Sequence, residues 1–200
     1  MECAFCSEFA SGSERIITTH RDWLLLPTIG CFTAGYCLFM PYEHVDAVAD
    51  LPEEQLDGVE SAAEQMRSRL TRVYGPTIVA EHGARGCDLG AGCCTHAHLH
   101  LVPVPDPDAA FADYRATGGD GVSLTGLCDL PTVAAGAYVY FSPRPGTHLA
   151  WPAAGFARQF VRRVCARLHG LGTFYDWRDY TFFDLQQATL HQLRKAFTGP

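Results

Sequence analysis

Apolar and polar positions alternate from Thr95 to Pro103, and histidines fill three of the polar positions. In a β-strand, alternate side chains share a face and lie about 7 Å apart. A strand would therefore align His96, His98 and His100, whereas a helix would scatter them around its circumference. Because buried imidazoles must find hydrogen-bond partners, three in register indicate a functional site rather than ordinary core.

The rest of the pattern predicts a mixed α and β chain. Runs of β-branched and apolar residues between turn signals predict strands over residues 15–19, 23–26, 36–40, 77–80 and 137–141. Apolar residues recur at helical spacing over residues 50–73, 156–168 and 182–197, with a shorter helix around 109–115.

The chain has 200 residues, enough for one domain with a sizeable core, and a formal net charge of −7. The acidic balance argues against specific binding of nucleic acid through a broad basic surface. No apolar run approaches the roughly 20 residues of a membrane helix, and the N-terminus lacks the pattern of a secretion signal. Nine cysteines, an odd and clustered set, suggest a reducing compartment with free or metal-bound thiols. We therefore expect a cytoplasmic protein without membrane segments.

Two kinds of chemistry use a row of histidines. A neutral imidazole can attack phosphorus while a neighbouring histidine donates to an oxygen, or three imidazoles can hold a catalytic metal. A metal site of the cupin type would need a glutamate soon after the second histidine, but residues 101–105 contain no carboxylate. Binuclear hydrolase motifs also require an aspartate that is absent here. The pattern favours the nucleophilic interpretation.

The ordered motifs resemble the histidine triad superfamily, whose signature is His-x-His-x-His followed by apolar residues. Residues 35–45 resemble that family's strand ending in Pro-x-x-His, and Glu81-His82-Gly83 and the glycine-rich run before the triad also fit. The resemblance covers about residues 3–105. It implies an α+β fold in which helices pack on an antiparallel β-sheet, with a helical C-terminal extension. It also implies a catalytic core over residues 1–105, an extension over 106–200 packed on it as one compact domain, and a homodimer.

The expected mechanism centres on His98, which attacks the α-phosphorus of a nucleotide ester, anhydride or phosphoramidate. Its far ring nitrogen should donate to a carbonyl, so that the attacking nitrogen is unprotonated. We expect His100 to hydrogen-bond the phosphate oxygens or to protonate the leaving atom. Backbone amides between Gly92 and Thr95 are expected to offset the developing charge.

The glycine-rich loop before the triad is the expected phosphate rim, because glycines let backbone amides approach an anion closely. The substrate-binding residues expected there are Gly92, Cys93, Cys94 and Thr95, together with His82 after the preceding strand. Cys93 stands where many relatives carry a serine, and a thiol donates only weakly. Thr95 or a backbone amide could take over that hydrogen bond.

A Cys-x-x-Cys motif at the N-terminus suggests a structural zinc site. Cys3 and Cys6 would supply two thiolates, and His44 and His96 lie at the ends of two strands expected to be adjacent. Such a Cys2His2 site is tetrahedral and closed, and the zinc-containing relatives carry the same ligand types. His96 would then bind zinc rather than act in catalysis.

The resemblance implies a nucleotidyl hydrolase or transferase that releases a nucleoside monophosphate from a nucleotidylated small molecule. Hydrolase, phosphorylase and nucleotidyltransferase, including one acting on dinucleoside polyphosphates, differ only in the acceptor, which the triad does not reveal. A nucleotide-binding regulatory protein with little turnover is the alternative from another class.

Overall fold

The computed structural model describes residues 3–84 and 95–198. In this part of the chain, eight strands form one sheet: β1 (Thr18–His20), β2 (Trp23–Pro27), β3 (Cys37–Pro41), β4 (Thr77–Gly83), β5 (Leu99–Pro103), β6 (Val122–Leu124), β7 (Tyr138–Ser142) and β8 (His148–Pro152). Their order is β1-β2-β3-β5-β4-β7-β8-β6, and every neighbouring pair is antiparallel.

The described α-helices are α1 (Ala4–Ala10), α2 (Glu53–Tyr74), α3 (Pro107–Gly118), α4 (Leu130–Val133), α5 (Phe160–Leu168) and α6 (Phe183–Thr198). Short 3-10 helices cover Val48–Asp50 and Leu127–Asp129. None of the helices in the described ranges is long and apolar enough to cross a bilayer. The predicted α+β fold with an antiparallel sheet is confirmed.

Helix α2 forms where the sequence predicts it. Glu53 and Glu54 lie in its first turn, where carboxylates favour the helix dipole, and Gly75 ends it at φ 91°. A left-handed φ of this kind strains residues with a side chain, so glycine is suited to the position. The buried face of α2 packs on the sheet through Leu56, Val59, Ala63, Met66 and Leu70.

Helices cover both faces of the sheet. Side chains from α2 and α6 share one apolar cluster with alternate strand residues such as Phe39 and Leu101. Side chains from α3 and α5 share a second cluster with the opposite set, such as Leu38 and Val102. His100 alternates with Leu99 and Leu101, so it faces the side covered by α3 and α5.

The sheet contains an internal repeat. The succession β3-α2-β4-β5-α3 recurs as β6-α4-β7-β8-α5, and in each half the last strand lies between the first two. Strand registers repeat as well: Ala80 pairs with His100 in the first half, and Phe141 pairs with Leu149 in the second. Because Ala80 also pairs with Phe141, a local two-fold relation passes through the β4–β7 pair. The second half therefore pairs with the first through β4 and β7, as a two-fold-related copy of the first half would.

Several predicted boundaries are wrong. The helix expected over 156–168 begins only at Phe160. The sequence analysis also missed two strands, β6 and β8, and Trp151 belongs to β8. Helix α1 was also missed. The three histidines were expected in one strand, but β5 begins at Leu99, after two of them.

Candidate active site and metal cluster

His98 and His100 lie together on the face of the sheet that α5 covers. Their ring centroids are 4.6 Å apart at an interplanar angle of 69°. Both side chains are largely buried, with 6% and 5% of their surface exposed. The sequence analysis predicted this pair to act together, and the structure brings the two rings into contact.

One hydrogen bond indicates which ring nitrogen of neutral His98 carries the proton. Its Nδ1 lies 2.7 Å from the backbone carbonyl oxygen of His96. A carbonyl oxygen can only accept, so Nδ1 carries the proton and the lone pair of the neutral ring is on Nε2. The expected hydrogen bond to a carbonyl is therefore present, and its acceptor is the first histidine of the row.

The first part of the row precedes the ladder of β5. The His96 carbonyl accepts from the imidazole two residues later. The Ala97 amide instead donates to Val45 O at 2.7 Å, in the segment that follows β3. Ala97 shares the cluster of Leu99 and Leu101, so alternation keeps His96 on the face of His98 and His100. There the His96 ring contacts Phe5 and Phe9 of the N-terminal helix.

His100 is held by Tyr36, a residue that the sequence analysis did not assign to the site. The Tyr36 hydroxyl lies 2.8 Å from Nδ1 of His100. Burial lowers the pKa of His100 well below its usual value, and the charges of His98, His82 and Arg162 add to the effect. A neutral His100 is suited to hydrogen-bonding a phosphate oxygen rather than to delivering a proton. The sequence could have indicated Tyr36 as a site residue only through its position just before β3, the strand that pairs with β5.

His82 joins the two triad rings from the adjacent strand β4. Its ring centroid is 5.6 Å from that of His100, and 6% of the side chain is exposed. The backbone amide of Val161 in α5 donates to His82 Nε2 at 3.2 Å. The sequence could place His82 near the site, but α5 was not expected to reach it.

Glu81 lies on the opposite face of β4. It is almost completely buried, and burial raises the pKa of its carboxyl group to about 7. Tyr138 donates a short hydrogen bond to it, and the Val48 amide donates at 2.8 Å. These bonds fasten β4 to β7 and to the segment after β3, just behind the triad.

Four predicted metal ligands meet in one cluster. Cys3, Cys6, His44 and His96 each offer one ligand atom, and these atoms all lie within 4.8 Å of one another. Sulfur-to-nitrogen separations are 3.5 Å for Cys3–His96, 3.4 Å for Cys6–His44 and 3.6 Å for Cys6–His96. A tetrahedral zinc with typical bond lengths separates its sulfur and nitrogen ligands by about 3.5 Å. The cluster could therefore hold a metal ion.

The ring nitrogens that face away from the cluster are also engaged. His96 Nε2 lies 2.9 Å from Pro41 O, and His44 Nε2 lies 3.1 Å from Asp46 Oδ1. Metal-binding histidines usually donate their second nitrogen to a carbonyl or carboxylate, which fixes the ring and its tautomer. Both histidines here present Nδ1 to the cysteines in this way.

Helix α1 connects the cysteine cluster to the triad. Phe5 lies between the two cysteines in sequence, and its ring centroid is 5.7 Å from that of His96 and 6.0 Å from that of His98. The segment that carries Cys3 and Cys6 therefore packs directly on His98. A short helix with one buried residue, Phe9, needs such anchoring to stay in place.

The expected phosphate rim is only partly described. Thr95, half-buried, immediately precedes His96. Gly92, Cys93 and Cys94 lie outside the described residues.

The described residues form an antiparallel α+β sheet in which the His-x-His-x-His segment leads into the central strand β5. No protein-family model matches the chain, and no curated protein matches it. Among solved structures, the chain is similar to a hypothetical histidine triad nucleotide-binding protein from Sulfolobus tokodaii strain 7. Identity is 16% and the TM-score 0.43, over 50% of this chain and 68% of that chain.

Two further solved structures are similar. A HIT family protein from Bacillus anthracis shares 21% identity at a TM-score of 0.44, over 51% of this chain and 72% of that chain. A HIT family hydrolase from Clostridium thermocellum shares 17% identity at a TM-score of 0.41, over 52% of this chain and 92% of that chain. Each likeness spans about half of this chain.

Proposed function

We propose that this chain is a histidine triad nucleotidyl hydrolase or transferase that works through a nucleotidyl-histidine at His98. The observation that carries the proposal is the hydrogen bond from His98 Nδ1 to the His96 carbonyl. It directs the lone pair to Nε2, which is the form of imidazole that attacks an electrophile. His100, neutral and in contact with His98, is placed to donate to the same phosphate group.

The first step forms a bond between His98 Nε2 and the α-phosphorus while the bond from phosphorus to the leaving group breaks. The leaving group departs with the bonding electron pair, as an anion when the substrate is a phosphoanhydride. Imidazole becomes positively charged when it is loaded, and its Nδ1–H bond to the His96 carbonyl strengthens as that charge develops. Water then attacks phosphorus, the bond to His98 Nε2 breaks and the proton of the water passes to solvent, which releases the nucleoside monophosphate. Another acceptor, such as phosphate, would instead leave as its nucleotidyl conjugate.

The cysteine and histidine cluster holds structural zinc in this proposal. Two thiolates and two imidazoles fill a tetrahedral site without an open position, so the metal would not touch the substrate. Its role is to fix α1 and His96, and His96 supplies the carbonyl that sets the His98 tautomer. The metal ligands and the nucleophile are thereby joined through one residue.

A substrate panel tests the proposal. Nucleoside 5′-phosphoramidates, dinucleoside polyphosphates and nucleotidyl sugars are each incubated with the chain, with and without inorganic phosphate. Release of a nucleoside monophosphate indicates a hydrolase, and release of a nucleoside diphosphate only when phosphate is present indicates a phosphorylase. His98→Ala should lower turnover by about 10³-fold or more without changing the far-UV circular dichroism.

A nucleotide-binding regulatory protein is the remaining candidate. The near-complete burial of both catalytic imidazoles is the observation that favours it. Saturable binding of nucleoside monophosphates without turnover of any conjugate would support this alternative and contradict the enzymatic proposal.

A further inference from the structure

His82 occupies a position in the site that the proposed mechanism leaves open. It projects from β4 towards the face that carries His98 and His100, and its ring centroid lies 5.6 Å from that of His100. Its own partner comes from the far part of the chain, the first turn of α5. The second half of the repeat thus reaches into the site of the first half.

The hydrogen bond from α5 decides which nitrogen of His82 carries the proton. A backbone amide can only donate, so Val161 N–H at 3.2 Å requires an acceptor lone pair on His82 Nε2. The neutral ring must then carry its proton on Nδ1. Burial lowers the pKa of His82 to about 3, so the ring stays neutral at physiological pH. Among residues 3–84 and 95–198, no acceptor is hydrogen-bonded to Nδ1.

The start of α5 is fixed on both sides of Val161. Gln159, which precedes the helix, is buried and adopts a left-handed backbone at φ 59°. Strained backbone of this kind persists only where its surroundings enforce it. Arg162 follows and donates to Gly30 O at 2.5 Å and to Tyr175 O at 2.7 Å. The Val161 amide is therefore held in place and cannot simply follow a rotation of the imidazole.

The repeat explains why α5 can have this role. Leu149 takes the place of His100 in the second half, so the strand that corresponds to β5 has no histidine at that register. The described second half of the repeat therefore does not contain a second pair of site histidines. Its helix α5 instead contacts His82 in the first half. In the first half, the corresponding helix α3 packs against α5.

We propose that His82 is a fixed, neutral hydrogen-bond donor to the substrate phosphate, and that α5 is the element that positions it by holding its Nε2. This inference rests on the proposed function, because it names the group that the donor serves. A phosphate oxygen accepts the Nδ1 proton, and a donor that needs no reorganisation during the reaction stabilises the developing charge most effectively. His82 would then act with His100 as a second imidazole donor beside the nucleophile.

The tautomer is tested without any substrate. Nitrogen-15 NMR of the histidine side chains in the full chain should show His82 as the neutral Nδ1–H form across pH 5–8. Val161→Pro removes the amide proton at a first-turn position where proline is tolerated in helices, and it should change the His82 nitrogen shifts towards a tautomer mixture. A neutral Nε2–H form in the wild-type chain would overturn the proposal whether or not the chain is an enzyme.

Substitutions of His82 test the donor itself and do not depend on the folding of Val161→Pro. The amide nitrogen of asparagine lies near the place of Nδ1, whereas that of glutamine lies near the place of Nε2. His82→Asn should keep kcat within about tenfold of wild type, while His82→Gln and His82→Leu should lose about 10²-fold in kcat with a smaller change in KM. An unchanged kcat in His82→Leu would contradict the donor role.

A matched control separates this role from a structural one. His148 is another buried histidine, bonded to Tyr140 at 2.8 Å on the other face of the sheet. His148→Asn should lower Tm and leave kcat unchanged. If the wild type shows no turnover with any conjugate but His82 has the predicted tautomer, the proposed function fails while the positioning by α5 stands. Equal loss of kcat in His148→Asn and His82→Leu would assign His82 to structure alone.

Discussion

Glu81 is a carboxylic acid buried behind the triad, with 1% of the residue exposed to solvent. Burial raises its pKa to about 7, while hydrogen bonds from Tyr138 and Val48 and the neighbouring His98 act in the opposite direction. Asp50 adds a smaller upward effect. The folded chain therefore retains a proton on Glu81 at pH values where the unfolded chain has released it.

This proton makes stability depend on pH. The unfolded carboxyl titrates near 4.5 and the folded one near 7, so the free energy of unfolding should fall as pH rises through that window. The fall expected from this group is about 3 kcal/mol. Glu81→Gln should remove it, whereas Glu54→Gln on the exposed side of α2 should not. Urea unfolding at pH 5 and pH 8 measures the change in the free energy of unfolding between the two pH values. An equal change in wild type and Glu81→Gln would contradict this assignment.

The identities of the site residues were more predictable than their hydrogen bonds. Alternation identified His98 and His100, and ligand spacing identified the Cys3 and Cys6 cluster. No local pattern indicates that the Tyr36 hydroxyl meets His100 or that an amide of α5 meets His82, since both contacts join residues distant in the chain. Such partners depend on tertiary packing and not on propensity.

Among the elements, α1 is the one that a metal in the proposed site would stabilise most. It has seven residues, no side-chain cap and one buried side chain, which is too little to stabilise an isolated helix. In the proposed metal site, its position beside the triad would depend on the bonds from Cys3 and Cys6 to a metal shared with His44 and His96. Zinc would contribute directly to the stability of this arrangement.

Metal analysis tests this dependence. The purified chain should contain one zinc per molecule, and Cys3→Ser or His44→Ala should reduce the content to a small fraction. Cys128→Ser is the matched control, because Cys128 is a half-buried free thiol outside the cluster. Stoichiometric zinc in both ligand variants would disprove the ligand set, and chelation of the wild type should lower Tm.

The long, strongly periodic helix α2 and most of the central strands were predicted from the sequence, whereas the short elements α1, β6 and β8 were missed. Helix α2 has 22 residues with a regular apolar face, whereas β6 has three residues, two of them exposed. No strand was predicted at β8, which has five residues and ends at Pro152. Its strand conformation comes from pairing with β6 and β7 on either side.

At the scale of the whole molecule, the two halves of the repeat share one sheet, and Arg162 of the second half contacts segments that lie outside the repeat. This buried guanidinium donates to Gly30 and Tyr175, and it lies 5.2 Å from the Tyr36 ring centroid. Gly30 has no side chain, which allows the close approach of Arg162 and Trp177. The hydrogen bond from Arg162 to Gly30 joins the segment after β2 to the second half of the repeat.

Removal of the Arg162 hydrogen bonds should destabilise the fold. Arg162→Met removes the charge-assisted hydrogen bonds to Gly30 O and Tyr175 O, which should cost about 2–4 kcal/mol. Arg163→Met is the control, because Arg163 is exposed and lies over the Tyr175 ring at 4.2 Å, a contact worth less than about 1 kcal/mol. Guanidinium unfolding of both variants compares the two costs, and equal effects would exclude a special role for Arg162.

The expected homodimer stays a prediction. Within the described sheet, only β1 and β6 have one neighbour, so pairing of two chains through strands would have to use one of those edges. The β4 edge is already occupied by β7 of the same chain. Sedimentation equilibrium of the full chain distinguishes monomer from dimer.

The most direct measurement of the central claim is the mass of the chain in the pre-steady state. The protein is mixed with an excess of a nucleotidyl substrate, quenched within milliseconds to seconds at alkaline pH and analysed by intact-mass and peptide mass spectrometry. An increase equal to one nucleoside monophosphate group, located on His98 and absent from His98→Ala, is the predicted result. Turnover without an adduct, or an adduct located on a residue other than His98, would contradict the account.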